Sequence, residues 1–336
     1  MSAPANPTHL KTVTYRGLRP GKKLIVTAAV HGNELHGHKA VLGLISDLDS
    51  GKVTLDRGTL TLVPAANPLA LQNQTREGER NLNRNMGTKA ITNDFEDRVC
   101  NVLCPLLAEH DVLLDLHSFH SPGDPFILMG PPNNHGDLQP FGRHAEELHL
   151  AVHLGVQRII RGWLDVYNMG VQRRKLQLQQ DRQLANTVNR LSSATTDSNY
   201  GVGTTEYMRS RGGYALTLEC GQHTDPSGPS VARHAIEQTL ALLDMSASFK
   251  LMEHDANMDT DREILTLVDV IDKTYTGDNF ANEWKSFDKI AQGQLIGTRG
   301  DSAKTPLLAL TDGHIVFPHA GAPVGTEWFY WARQVV

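Results

Sequence analysis

The chain has 336 residues, 40% of them hydrophobic and 21% charged, with a formal net charge of −5. This length exceeds one typical domain, and the composition is that of an ordinary globular protein. No basic block offers a field for nucleic acid, no apolar run approaches the roughly 18 residues of a membrane helix, and residues 1–19 lack the apolar core of a secretory signal, so a cytoplasmic location is expected.

In chain order, Lys22 to Val30 reads as a buried strand, β-branched and closed by Gly32 and Asn33. The stretch Glu34 to Leu48 has apolar residues at near-helical spacing, so His31 and Glu34 stand where a strand hands over to a helix. In α/β proteins that edge of the sheet is where ligands are held. A second strand, Thr59 to Pro64, leads to Asn67-Pro68, where the proline biases Asn67 away from helix. Residues 72–87 follow without apolar periodicity, and a stretch of this kind beside a sheet edge usually carries function. Its arginines suit carboxylates, because guanidinium presents a planar fork of donors. Asn93-Asp94-Phe95-Glu96 then reads as a helix start with Glu at the third position, and the helix continues past Pro105.

A further buried strand, Val112 to Leu116, ends at His117. Asp115 shares a face with His117, because side chains two apart on a strand point the same way; it either orients the imidazole or binds backbone amides. Phe126 to Met129 reads as a strand, with helices over Pro140 to Leu154 and Asp181 to Leu191 and a mobile Ser/Thr/Gly/Asn-rich loop over 192–205. His144, His149 and His153 are spaced too loosely for a metal face and read as solvated. Tyr214 to Gly221 is the next strand. It carries Glu219, an acid on an otherwise buried strand that demands a partner or a task. Ser230 to Leu243 reads as a helix.

From Ser246 onward the pattern changes to short strands, with Thr311-Asp312-Gly313 as a hairpin turn. The expected division is therefore an α/β domain over 1–245, a mixed central sheet flanked by helices, and a small β-domain over 246–336. Cys100, Cys104 and Cys220 are odd in number and form no CxxC pair, so they read as reduced and buried.

His31 and Glu34, three residues apart, can grip one ion from the same turn, and His117 supplies a third ligand from another strand end. Read singly, each is a helix cap or an ordinary strand-end histidine. Together they form the His₂Glu set of a catalytic zinc with one open position, one zinc per chain.

His31-Gly-Asn-Glu34, Asn83-Arg84, Asp115-Leu-His117 and the strand ending at Glu219 together resemble the succinylglutamate desuccinylase/aspartoacylase family, relatives of the zinc carboxypeptidases. The resemblance runs from about Leu24 to Leu243, with a weaker echo in the last thirty residues. It implies that Glu219 is the general base and acid, that Arg76 holds the carbonyl oxygen under attack, and that Asn83, Arg84 and Arg209 bind substrate carboxylate. For Arg209 an ion pair with a surface acid competes. The resemblance further implies that the C-terminal β-domain narrows the site entrance and lends Tyr330, for which plain packing is the competing role. Arg80 has no counterpart in the family and reads as solvated. Asn81 stands where the family often has Asp, which bears on how the loop is braced.

The implied activity is a zinc-dependent amidohydrolase that removes an acyl group from a small-molecule N-acyl amino acid. The alternatives are a zinc carboxypeptidase acting on short peptides and a non-catalytic binding protein on the same fold. Self-association into a homo-oligomer is left open.

Overall fold

The computed structural model describes residues 5–184, 197–252 and 262–334. It has a mixed α/β architecture, as expected, divided into two compact units. Unit one comprises residues 1–119, 125–159 and 202–262; unit two comprises 120–124, 160–201 and 263–336. The division does not follow the chain linearly at residue 245, because a central segment joins the C-terminal strands.

Unit one opens with β1 (Val13–Arg16), β2 (Arg19–Ala28), α1 (Leu35–Asp49), β3 (Arg57–Val63), α2 (Pro68–Asn73) and α3 (Phe95–Ala108). It continues with β4 (Val112–Phe119), β5 (Phe126–Leu128) and α4 (His144–Ala151), and β6 (Arg158–Arg161) spans the boundary between units. After α5 (Trp163–Leu184) of unit two, it resumes with α6 (Thr204–Ser210), β7 (Tyr214–Gln222) and α7 (Gly228–Leu242). Its strands run in the order β1-β3-β2-β4-β7-β5. The pairs β3–β2, β2–β4 and β4–β7 are parallel, while β1 and β5 join antiparallel at the two ends.

Central strands buried on both faces are largely apolar, which is why Leu24–Ala28 of β2 and Val112–Leu116 of β4 are hydrophobic but for Thr27 and Asp115. One face is covered by α3 and α6, packing Phe95, Val99, Leu103, Leu107 and Met208 onto Ile25, Leu113 and Ala215. On α1, the buried Ala40, Val41 and Leu44 are spaced for one helix face. Cys100, Cys104 and Cys220 are free and buried, as expected. Asn67 keeps a non-helical backbone and caps α2, its side chain accepting from Ala70 N at 3.2 Å.

Unit two holds α5, a 3-10 turn at Ser198–Gly201, and β8 (Glu263–Asp272), β9 (Asn279–Phe280), β10 (Lys289–Ile290), β11 (Leu295–Arg299), β12 (Thr305–Leu308), β13 (Gly313–Val316) and β14 (Glu327–Arg333). β8-β14-β13-β10 form one antiparallel run and β12-β11-β9 a separate three-stranded sheet.

Four sequence expectations are corrected. The helix expected over 140–154 is confined to His144–Ala151. A helix begins at Trp163, well before Asp181, because Leu164, Val166, Tyr167 and Val171 are buried while its polar second half hides the periodicity; residues 185–191 lie outside the described residues. Of the loop expected over 192–205, residues 192–196 also lie outside them, 198–201 form the 3-10 turn, and Thr204 starts α6. Thr311-Asp312-Gly313 is not a hairpin turn, since β12 and β13 lie in different sheets. Among the described residues, no helix is long and apolar enough to cross a membrane.

Candidate active site

The site assembles at the carboxyl ends of the parallel strands of unit one. β2 stops at Ala28, and Ala29 takes a left-handed backbone with φ of 47°. A non-glycine residue there is strained, and such strain collects at functional turns. Asn67 N bonds Ala29 O at 3.0 Å and Ala66 N bonds Ala28 O at 2.8 Å, fixing the turn from the next loop. Gly32 follows because nothing larger fits: a Cβ there would lie 1.9 Å from the Ala70 carbonyl carbon.

His31, Glu34 and His117 are all buried, and one potential ligand atom from each lies within 4.8 Å of the others. Glu34 occupies the N-cap position of α1 but makes no side-chain capping bond. Its carboxylate turns inward instead: Oε1 meets His31 Nδ1 at 2.8 Å and Arg76 at 2.9 Å, and Oε2 meets His117 Nδ1 at 2.9 Å and accepts from Ser118 N at 3.1 Å. The capping alternative is therefore not what this residue does.

Both imidazoles present Nδ1 to Glu34, and the opposite nitrogen of each is anchored. His31 Nε2 meets Asn81 Oδ1 at 3.1 Å, and His117 Nε2 meets Asp115 Oδ2 at 2.9 Å. Of the two roles open for Asp115, orienting the imidazole is the one observed. Its carboxylate is held in turn by Thr27 Oγ1 at 2.5 Å and by the Thr204 hydroxyl. Carboxylate or amide backing of this kind fixes ring orientation and tautomer in metal sites.

Glu219 is the register partner of His117 on β4 and of Phe126 on β5, so a buried phenyl flanks it on one side and an imidazole on the other. It is 8% exposed, and its Oε2 is buried without a hydrogen bond. Burial pushes the Glu219 carboxyl up to about 8, with His117 pulling the other way. Burial would likewise raise Glu34, but the two imidazoles facing it hold it well below the usual carboxylate range. Burial lowers His31 to about 4, and Arg76 adds to this. His117 goes the other way: burial opposes its charge, yet Asp115 and Glu34 raise it well above the ordinary imidazole value.

These donors fit zinc. Two imidazole nitrogens and a carboxylate are its preferred protein ligands in catalytic sites, the ring nitrogens are already oriented, and the orphaned Glu219 oxygen stands beside the set.

The other expected residues divide. Arg76, about half exposed, reaches the centre through Glu34. Asn83 Oδ1 accepts from Thr204 N at 2.9 Å, and Arg84 donates to its neighbour's carbonyl, Asn83 O, at 2.7 Å. Arg209 is buried, with Nε on Glu147 Oε1 at 2.6 Å, one terminal nitrogen on Glu206 Oε1 at 3.2 Å and the other on Ala215 O at 2.8 Å. The ion-pair alternative is thus what the structure holds, with buried acids in place of a surface one. Tyr330 lies in unit two on β14, 6% exposed, its ring 5.5 Å from that of Trp163.

Arg80 is corrected outright. Its side chain is only 14% exposed and is engaged by Asp94 and Asp97. The sequence reading also missed His223, whose Nδ1 lies 2.8 Å from Ser118 Oγ, one residue beyond a proposed ligand. Its place four residues after Glu219 at a strand end was the available signal.

A model of the succinylglutamate desuccinylase/aspartoacylase catalytic domain matches residues 20–128. Residues 20–128 are thus similar to that family's catalytic domain. The segment includes His31, Glu34, Arg76, Asn83, Arg84 and His117. Solved structures share the fold along nearly the whole chain. A succinylglutamate desuccinylase/aspartoacylase from Rhodobacter sphaeroides superposes with a TM-score of 0.69 at 17% identity, covering 97% of this chain and 89% of that one. The product-bound ectoine utilization protein EutE (DoeB) from Ruegeria pomeroyi gives 0.67 at 16% identity, covering 96% and 88%. The succinylglutamate desuccinylase from Chromobacterium violaceum gives 0.65 at 18%, covering 97% and 88%. The comparison with curated protein sequences found no match.

Proposed function

We propose that the chain is a zinc-dependent amidohydrolase that removes the acyl group from an N-acyl amino acid. One observation carries this reading: two pre-oriented imidazoles converge on Glu34 beside Glu219, a buried carboxyl with an unpartnered oxygen.

His31, Glu34 and His117 would hold the ion, one per chain. Zinc, when bound, supplies a Lewis acid that acidifies water toward a pKa of about 7 and polarises a carbonyl. Glu219 takes a proton from the attacking water, a task suited to a carboxyl whose proton affinity burial has raised to about 8. Arg76 leaves Glu34 for the acyl oxygen, where its fixed positive charge offsets the negative charge that develops there. As the amide C–N bond breaks and the new C–O bond remains, Glu219 delivers its proton to the departing amine. Asn83 and Arg84 hold the carboxylate of the amino acid. Arg209, committed to Glu147 and Glu206, is assigned to bracing α6, which delivers Thr204 to Asp115. The role implied for Tyr330 rests on the resemblance alone.

The test is a panel of N-acyl amino acids, including acidic ones, and of peptides two to four residues long, assayed with stoichiometric zinc. Release of free amino acid from the acyl compounds and not from tripeptides is the expected result. Preference for the longer peptides would favour the carboxypeptidase alternative.

A further inference from the structure

The loop around Arg80 is polar and aperiodic, yet helix α3 grips it from two directions. Its backbone is held by Glu96, which is fully buried. Gly78 N donates to Oε1 at 3.1 Å, Glu79 N lies 3.2 Å from both oxygens, and Arg80 N donates to Oε2 at 3.1 Å. Only glycine allows this approach: a Cβ at 78 would come 2.3 Å from Glu96 Oε1.

The Arg80 side chain returns the grip. Its Nε donates to Asp94 Oδ2 at 2.8 Å and one terminal nitrogen to Asp97 Oδ1 at 3.0 Å. The other terminal nitrogen donates to the carbonyls of Asn81 at 3.0 Å and Arg84 at 2.9 Å. A planar fork can bridge two acids and two carbonyls together; an ammonium cannot. The peptide units so held belong to working residues. Asn81 Oδ1 takes both His31 Nε2 at 3.1 Å and Asn83 N at 2.9 Å, and Arg84 is the proposed carboxylate contact.

We infer that Arg80, clamped between Asp94 and Asp97, is a positioning residue that sets the path of loop 76–84, orienting His31 through Asn81 and Arg84 through its carbonyl. The consequences for substrate and for zinc rest on the function proposed above; the consequence for the loop does not. Asn81, which meets His31, is held through its own carbonyl by Arg80.

The test compares amide hydrogen exchange over residues 78–84, zinc affinity against a chromophoric chelator, and steady-state kinetics in Arg80→Ala, Arg80→Lys and Gly78→Ala. In Arg80→Ala, exchange in 78–84 should quicken by about tenfold or more while β4 amides stay protected. Zinc affinity should fall by about tenfold, the scale for residues that support a ligand. KM should rise more than kcat falls. Arg80→Lys should keep the fold without restoring loop protection, and Gly78→Ala should loosen the same amides from the Glu96 side. Unchanged exchange and zinc affinity in a folded Arg80→Ala or Arg80→Lys protein would overturn the inference. If no N-acyl amino acid is hydrolysed by the parent while the loop and zinc affinity respond, the positioning role stands and the functional reading fails.

Discussion

His117 and Glu219 are register partners on adjacent parallel strands, β4 and β7, so their side chains leave the sheet side by side on the same face. A slip of one residue would send either to the opposite face. The proposed ligand and the proposed proton carrier are therefore placed by backbone pairing deep in the core, whereas His31 and Glu34 depend on the turn after β2, and Arg76, Asn83 and Arg84 on the loop over 72–87.

Asp115 is buried and holds His117 Nε2. Asp115→Asn should keep the fold but weaken zinc binding by about ten- to a hundredfold, because an amide fixes the tautomer and basicity of the ring less well. Competition with a chelator measures this. An unchanged affinity would show that Asp115 braces Thr27 and Thr204 without tuning the ligand.

Arg84→Ala and Arg76→Ala should separate in their kinetics. Loss of a contact to the substrate carboxylate, made equally in ground and transition states, raises KM with kcat little changed. Loss of the charge at the acyl oxygen lowers kcat, by about a hundredfold on the scale of removing one oxyanion donor. Initial-rate measurements on the best substrate distinguish the two; identical patterns would remove the distinction drawn between these arginines.

The Glu219 carboxyl, raised by burial to about 8 from 4.5, makes the chelator-treated protein pH-sensitive. The folded state binds this proton more tightly than the unfolded one. Its stabilising contribution is full below pH 4.5 and is lost as pH rises through about 8. Glu219→Gln mimics the protonated form, so its Tm should match the parent's at pH 5 and exceed it by roughly 5 °C at pH 9, with zinc removed. Parallel Tm curves across that range would contradict the buried, proton-retaining carboxyl.

Removing residues 246–336 should yield a poorly soluble chain rather than a free-standing domain. α5 is fastened to the segment that would be lost: Arg173 bonds Val270 O at 2.7 Å, and Arg174 bonds Asp272 at 2.7 and 2.8 Å. Without β8, the buried face of α5 and its paired arginine are exposed together. Sedimentation of the truncated chain checks this, and a soluble, monodisperse product would count against it.

The parallel core was legible because β2, β4 and β7 are buried on both faces and so carry apolar runs that end at His31, His117 and Glu219. The candidate ligand set was read from those ends. Arg80 was misread because its partners Asp94 and Asp97 lie on the first turn of α3, where acids also serve as caps, and sequence does not say which way a carboxylate turns. Glu96 looked like part of a capping box for the same reason, whereas Asp94 caps the helix and Glu96 holds the loop. Arg209 was left between two roles because its partner Glu147 is sixty-two residues away on α4, a pairing that only tertiary structure creates. α5 escaped because its second half is rich in Gln, Lys and Arg.

The most direct test of the account is zinc content measured beside turnover in Glu219→Gln. Glutamine keeps the shape of the side chain and cannot carry the proton, so zinc should remain near one per chain while kcat falls by about 10² or more. Loss of zinc from this variant, or turnover at the parent rate, would contradict the role given to Glu219 and with it the proposed hydrolysis.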